Sequence, residues 1–269
     1  MSGIRLMAHL VAGYPDASGC RAAAQGLIEG GADYLEIQIP FSDPSADGAA
    51  IRDACSSVLA QGFNVADSLA LFADLHKDHP EVPLFVMTYA SLAVTPGVAV
   101  FAEAVAKAGV RGLIVPDLPF DCDEGLAEAC ARIGDPGLAV VPVAAPSMRK
   151  ERLAAMARLG RPYLYAALRA GITGARTEIG DDTTTFLAAC AAGGSRVLGG
   201  FGVRSGAQAK LLAPHVHAVV AGTVFVEAIN TALEAQGTGR SASYKGSPRV
   251  RDEAIRRAVR EAAREITGT

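Results

Sequence analysis

Eight short runs of apolar, largely β-branched residues recur along the chain, at 6–12, 34–39, 83–88, 112–115, 138–143, 163–167, 196–199 and 217–221, and each is followed by an alanine-rich stretch with helical character. This alternation is the strongest constraint on the fold, because repeated strand–helix units pack as a parallel sheet covered by helices. Most of the runs are almost continuously hydrophobic, as strands with helices on one side and a filled interior on the other should be. Eight such units are the number that closes a barrel, and 269 residues, half of them hydrophobic, suffice for one such core. The expected architecture is therefore α/β, a single-domain (β/α)8 TIM barrel, with a doubly wound open sheet as the alternative. Two helices stand outside the alternation, one after strand two at 49–61 and one near the C-terminus from Val250 to Ile266. The Gly- and Ser-rich segment before the second reads as a flexible connection. This divides the chain into a catalytic barrel over 1–236 and a connection plus packing helix over 237–269. Ile255, Val259, Ala262 and Ile266 recur at helical spacing, so one face of that helix is expected to pack on the barrel.

Twenty-five basic and 28 acidic residues leave a net charge of -3, with neither a basic stripe for nucleic acid nor a polybasic membrane anchor. A small molecule is the expected ligand. The first apolar run is too short to span a membrane and lacks a cleavage pattern after it. Cys20, Cys55, Cys122, Cys130 and Cys190 are dispersed, and four of them fall in helical segments. That usage fits reduced thiols and a cytoplasmic location, with no disulfide and no metal site expected.

In parallel barrels the chemistry collects at the carboxyl ends of the strands. After strand seven comes Gly199-Gly200-Phe201-Gly202, and after strand eight Gly222-Thr223, each running into a helix. Glycines admit close approach of backbone N–H groups to an anion, and helix N-termini favour negative charge, so these loops read as a phosphate cradle, or individually as ordinary turns. Arg169 to Ala175, also glycine-rich, has the length of a mobile lid. Strand two alternates so that Leu35, Ile37 and Ile39 share one face and Tyr34, Glu36 and Gln38 the other. With the apolar face against the helices, Glu36 points into the barrel near its mouth, placed to give or take a proton. A structural Glu36 would need an unseen partner. In the following loop Asp43 fits a turn before Pro44, and Asp47 is either a second acid or a cap for the next helix.

The segment Leu-Glu-Ile-Gln-Ile-Pro-Phe-Ser-Asp-Pro-Ser-Ala-Asp-Gly from Leu35 resembles the active-site segment of tryptophan synthase alpha chains. The likeness extends through Gly13, Pro15, Met87 to Tyr89, Val115 to Pro119, Ala145-Pro146-Ser147, Tyr165, Gly171 to Ala175, Gly200 to Gly202 and Gly222-Thr223. It implies retro-aldol cleavage of indole-3-glycerol phosphate to indole and glyceraldehyde 3-phosphate, in tryptophan biosynthesis, without metal or organic cofactor. By the same resemblance Glu36 is the general acid/base and Asp47 the acid that bonds the indole N–H. Tyr89, Tyr165, Gly174, Gly200, Phe201, Gly202, Gly222 and Thr223 would contact substrate. Pro40, Phe41 and Asp43 would lie on the loop that touches a tryptophan synthase beta chain, in an alpha2beta2 heterotetramer.

A Schiff-base aldolase needs a strand lysine, whereas Lys77, Lys107, Lys150, Lys210 and Lys245 fall in helices or connections. A metal aldolase needs converging ligands, yet His76, His79, His215 and His217 lie at a helix end or at the opposite end of the barrel. His9, within strand one, reads first as a hydrogen-bonded core residue. Several positions depart from the family pattern. Gln38 stands for glycine, in a place to narrow the pocket or bond Glu36; Ala49 stands for proline; Leu168 lies near a usually polar position; and His9 replaces an apolar residue. Only Met1 to Arg5 precede strand one where the family carries a helix under the barrel, so either the C-terminal helix substitutes or an apolar patch is exposed. Three readings remain: an alpha subunit passing indole to a beta chain, a free-standing lyase releasing indole, and a weakly catalytic barrel that binds and activates the beta chain.

Overall fold

Among the described residues nine strand segments run parallel: β1 (Leu6–Val11), β2 (Ala32–Gln38), β3 (Leu84–Met87), β4 (Val110–Ile114), β5 (Ala139–Val141), β6 (Val143–Ala144), β7 (Tyr163–Ala167), β8 (Arg196–Gly200) and β9 (Ala218–Ala221). Their order in the sheet is β5-β4-β3-β2-β1-β9-β8-β7-β6. The computed structural model describes residues 3–134, 137–168, 179–237 and 247–269. The fifth strand expected over 138–143 is divided at Pro142, which has no N–H to donate to a ladder. Its halves form the two ends of the sheet, and the Pro142 carbonyl accepts the Tyr165 N–H at 2.9 Å, which brings those ends together. The remaining strands agree with the sequence reading to within about two residues, and the chain folds as the (β/α)8 barrel expected from it.

Around the sheet lie α1 (Ala17–Glu29), α2 (Ala49–Ala60), α3 (Val65–Asp78), α4 (Ala90–Val94), α5 (Val98–Lys107), α6 (Leu126–Ala131), α7 (Lys150–Ala157), α8 (Asp181–Ala191), α9 (Gly206–Leu212), α10 (Thr223–Ala235) and α11 (Pro248–Thr267). Their starts follow from side-chain chemistry. Asp16 accepts the Gly19 N–H to open α1, and Asn64 with Asp67 forms a reciprocal capping box on α3. The helix foreseen after strand two is α2, and Gly48, not Asp47, is its N-cap residue.

Strand alternation sorts the core into two parts. Leu6, Ala8, Leu10, Leu35, Ile37 and Ile39 pack outward against helices, while Met7, Tyr34, Phe85, Tyr165, Leu198 and Val220 fill the interior. The amino-end floor is aromatic: Phe85 and Tyr163 meet edge-to-face at 5.1 Å, and Tyr34 lies 5.8 Å from Phe85. Gly112 makes room for this floor, since a Cβ there would stand 2.2 Å from the Phe85 ring.

α11 does not cover that floor. It runs parallel to α1 along its outside, with Arg251 near its start bonded to Asp16 at the start of α1 and Thr267 at its end bonded to the Gly30 carbonyl at the end of α1. Of the two alternatives raised for the underside of the barrel, substitution by this helix is therefore not the one adopted, since α11 packs on α1 and α10. Its buried stripe is Ile255, Val259, Ala263 and Ile266, with Ala262 only partly buried. A Cβ on Gly26 would come within 2.2 Å of the Arg256 carbonyl, so the two helices touch through backbone. Most of the connection before α11 lies outside the described residues.

Candidate active site

One cavity opens at the carboxyl ends of the strands, and its wall includes His9, Glu36, Asp47, Tyr165, Phe201, Gly202, Gly222 and Thr223. β1 supplies His9 and β2 supplies Glu36; the two residues are direct partners in the β1–β2 register. Glu36 is 3% exposed and His9 6%, and His9 Nδ1 lies 3.5 Å from Glu36 Oε2. The partner that a buried Glu36 requires is therefore a histidine on the preceding strand, one strand–helix unit earlier in sequence. Burial lowers the affinity of His9 for its proton, but Glu36 and Asp47 together outweigh it and hold the imidazole above its ordinary pKa.

Asp47 is equally enclosed. Gln38 Nε2 donates to its Oδ2 at 2.8 Å, and the Tyr89 hydroxyl donates to the same oxygen at 2.7 Å. Burial pushes the Asp47 carboxyl above the usual carboxylate range, opposed by His9, Tyr89 and Gln38. Gln38, placed by the sequence near Glu36, gives its hydrogen bond to Asp47 instead, because the loop after β2 folds Asp47 back over the strand end. Tyr89 stands behind Asp47 rather than on the cavity wall. Its hydroxyl also accepts the Ala46 N–H at 3.0 Å, and Phe41 stacks on its ring at 5.1 Å. Within the same loop Pro40 is buried, Phe41 half-buried and Asp43 exposed, with Asp43 accepting a bond from the Ser42 hydroxyl.

Opposite the acids, Tyr165 from β7 lies edge-on to Phe201 at 6.0 Å, and burial drives its hydroxyl pKa well up. Phe201 and Gly202 both have positive φ, 82° and 85°, an uncommon conformation for an aromatic residue that turns the loop backbone toward the cavity. Gly200 is set back from the wall; a Cβ on it would meet the Tyr165 hydroxyl at 2.6 Å, so its smallness seats that ring. Gly222 and Thr223 bring the N-terminus of α10 to the wall. No lysine or arginine lines the cavity among the described residues. Gly174 and the rest of the Arg169–Ala175 loop lie outside them. Ala49 begins α2, and Leu168 is buried.

His76 and His79 close α3, and His217 belongs to the floor, where Tyr34 Oη is 2.9 Å from its Nε2. Lys77, Lys107, Lys150 and Lys210 lie on outer helices, so no described lysine stands on a strand. No group of three metal-ligating side chains exists among the described residues. What sequence reasoning missed is the His9–Glu36 and Gln38–Asp47 pairing. The signal available was that both His9 and Gln38 fall on inward-facing strand positions.

Two enclosed carboxylates facing a glycine-lined wall at the carboxyl mouth of a parallel barrel define a (β/α)8-barrel enzyme. Residues 2–252 match the family model described as tryptophan synthase alpha chain. Tryptophan synthase alpha chains of Helicobacter hepaticus and Shouchella clausii are each 35% identical to it, covering 84% and 92% of this chain and 86% and 87% of theirs. A Mycobacterium tuberculosis tryptophan synthase structure superposes with a TM-score of 0.78 at 32% identity, over 97% of this chain and 93% of that one. A mutant alpha-subunit from Pyrococcus furiosus gives 0.79 at 25% identity, with both chains covered in full. The chain belongs to the tryptophan synthase alpha chain family. It is a lyase that cleaves indole-3-glycerol phosphate in tryptophan biosynthesis. No helix among the described residues is long and apolar enough to cross a membrane.

Proposed function

We propose that Glu36 and Asp47 are the two acids of this cleavage and that the cavity between them and the glycine wall holds the substrate. The observation that carries this reading is the placement of both buried carboxylates on one side of the cavity, with Gly202, Gly222 and Thr223 on its wall. Breaking the bond to indole C3 requires a proton on C3 and removal of one from the neighbouring hydroxyl. Glu36 gives the first and takes the second, so its own protonation is restored at the end of the cycle. Meanwhile positive charge develops on the indole nitrogen. The bonds that Asp47 accepts from Gln38 and Tyr89 both fall on Oδ2, and Oδ1 accepts the indole N–H and stabilises that charge.

With no cationic side chain among the described residues of the wall, the phosphate is held by backbone N–H groups of Gly202, Gly222 and Thr223, with the field of α10 behind them, and by Gly174, which the family likeness adds to this set. Tyr165 and Phe201 bracket the substrate; Tyr89 and Gly200 act on it indirectly, through Asp47 and Tyr165. The partner is a beta chain in an alpha2beta2 heterotetramer, reached through the loop of Pro40, Phe41 and Asp43. Phe41 stacks on Tyr89, and Tyr89 bonds Asp47, so contact at this loop has a physical route to an acid. The barrel over 1–236 is the catalytic unit and 237–269 its packed appendage, acting in the cytoplasm.

Indole release by the purified chain, with and without a beta chain, is the test. We expect activity that rises with the beta chain and falls at least about 10²-fold in Glu36→Ala and in Asp47→Ala. Full activity without stimulation would point to a free-standing lyase. Silence of the wild type together with activation of the beta chain would point to a binding scaffold.

A further inference from the structure

We propose that His9 is a positioning residue that pairs with Glu36 across β1 and β2 and shares the proton that Glu36 gives and takes. This rests on the reading of Glu36 as the acid/base. The two side chains face one another because their residues are register partners on adjacent inward-facing strand positions, and Nδ1 to Oε2 is 3.5 Å. Gly222 closes on His9 from the end of β9, where a Cβ would stand 3.0 Å from the His9 Cβ; this contact confines the histidine beside the acid.

A histidine kept only for packing satisfies both ring nitrogens, as His217 does with Tyr34 and Arg5. His9 does not: its Nε2 is buried and has no partner. The titratable groups facing it are Glu36 and Asp47 from the β2 side and Tyr165 from across the barrel, with the neutral Gln38 beside them; no described basic side chain opposes its charge. The pair is thereby placed to share one proton between Nδ1 and Oε2, 3.5 Å apart. That proton passes from Glu36 to indole C3 as the C3–H bond forms, leaving carboxylate and neutral imidazole. As the carbon–carbon bond breaks, its electron pair restores the indole ring, the hydroxyl becomes the aldehyde carbonyl, and the hydroxyl proton returns to the pair. Nothing is consumed.

Titration of the His9 ring by NMR in the wild-type chain and in Glu36→Gln, with resonances assigned through His9→Asn, tests the pairing without an activity readout. A lower midpoint for His9 in Glu36→Gln is expected; an unchanged midpoint overturns the proposal. In the indole assay, His9→Phe is expected to lower kcat about tenfold, to change KM less than about twofold and to remove the alkaline limb of the kcat profile, where the imidazolium is lost. His9→Phe with wild-type kcat and an unchanged limb also overturns it. An inactive wild type with a shifted His9 midpoint would instead reject the proposed function and leave the pair standing.

Discussion

Asp47 receives the hydrogen bonds of Gln38 and Tyr89 on one oxygen and lies 3% exposed, so its charge is oriented but poorly solvated. Its pKa is raised in the folded chain, so ionised Asp47 weakens the fold above the ordinary carboxylate range, and the penalty disappears as the pH falls and the group takes its proton. Asp47→Asn is expected to raise the thermal midpoint at pH 7 while lowering kcat about 10²–10³-fold, with the stability difference shrinking toward pH 4. A midpoint at pH 7 below that of the wild type would contradict this. Tyr89→Phe deletes one donor to Asp47 and is expected to reduce kcat about tenfold, the scale of one buried hydrogen bond to a charged group. The placement of both carboxylates at the barrel's mouth was legible in the sequence, Glu36 from the period-two alternation of β2 and Asp47 from its place in the loop and the family likeness. Their partners were not. Which residue of β1 stands beside Glu36 is set by the stagger of the closed barrel, and Gln38 turned toward Asp47 because of the path of a loop that has no periodicity to read.

Along α1, Gly26 and Gly30 face α11, and the end of the contact is fastened by Arg251, which bonds Asp16, Ser18 and Asp252. Burial alone would raise the Asp16 pKa, but the Gly19 N–H and Arg251 outweigh it and hold the carboxyl below its usual value. A lowered carboxyl stabilises the fold above the unfolded-state value and loses that contribution as pH falls through the lowered one. Arg251→Ala is expected to cost about 1–2 kcal/mol in urea unfolding at pH 7, between an exposed pair and a buried one, with kcat unchanged. The cost should fade below about pH 4 as Asp16 takes its proton. Gly26→Val should cost more than Arg251→Ala, since the clash is with backbone; equal or smaller loss would show that the helices are not locked. The existence of α11 was legible from its amphipathic spacing. Its resting place was not, because an apolar stripe states that a helix packs and leaves open against what.

For the whole molecule the count of strand–helix units was enough to choose the closed barrel, since local patterning and topology agree throughout. The same enclosure shields thiols. Burial pushes Cys20 and Cys130 up to about 11, and Cys55 and Cys190 up to about 12, while Cys122 is exposed. A chromogenic disulfide reagent at pH 8 should therefore titrate one thiol in the native chain and five after denaturation, with the native signal absent in Cys122→Ser. Two or more fast native thiols would mean that the helical shell opens readily.

The division of the fifth strand at Pro142 gives the barrel a clasp. Five strand segments lie before it and four after it, and the ends of this bracelet meet where the Tyr165 N–H reaches the Pro142 carbonyl. On the far side, β1 and β2 form a longer ladder that carries His9 and Glu36. Tyr165, whose ring borders the cavity, thus stands at the closure of the bracelet, and His9 and Glu36 stand on the opposite, continuous ladder. The circumference is therefore asymmetric: one wall of the cavity is built on the seam where the chain closes on itself, the other on strands paired without a break.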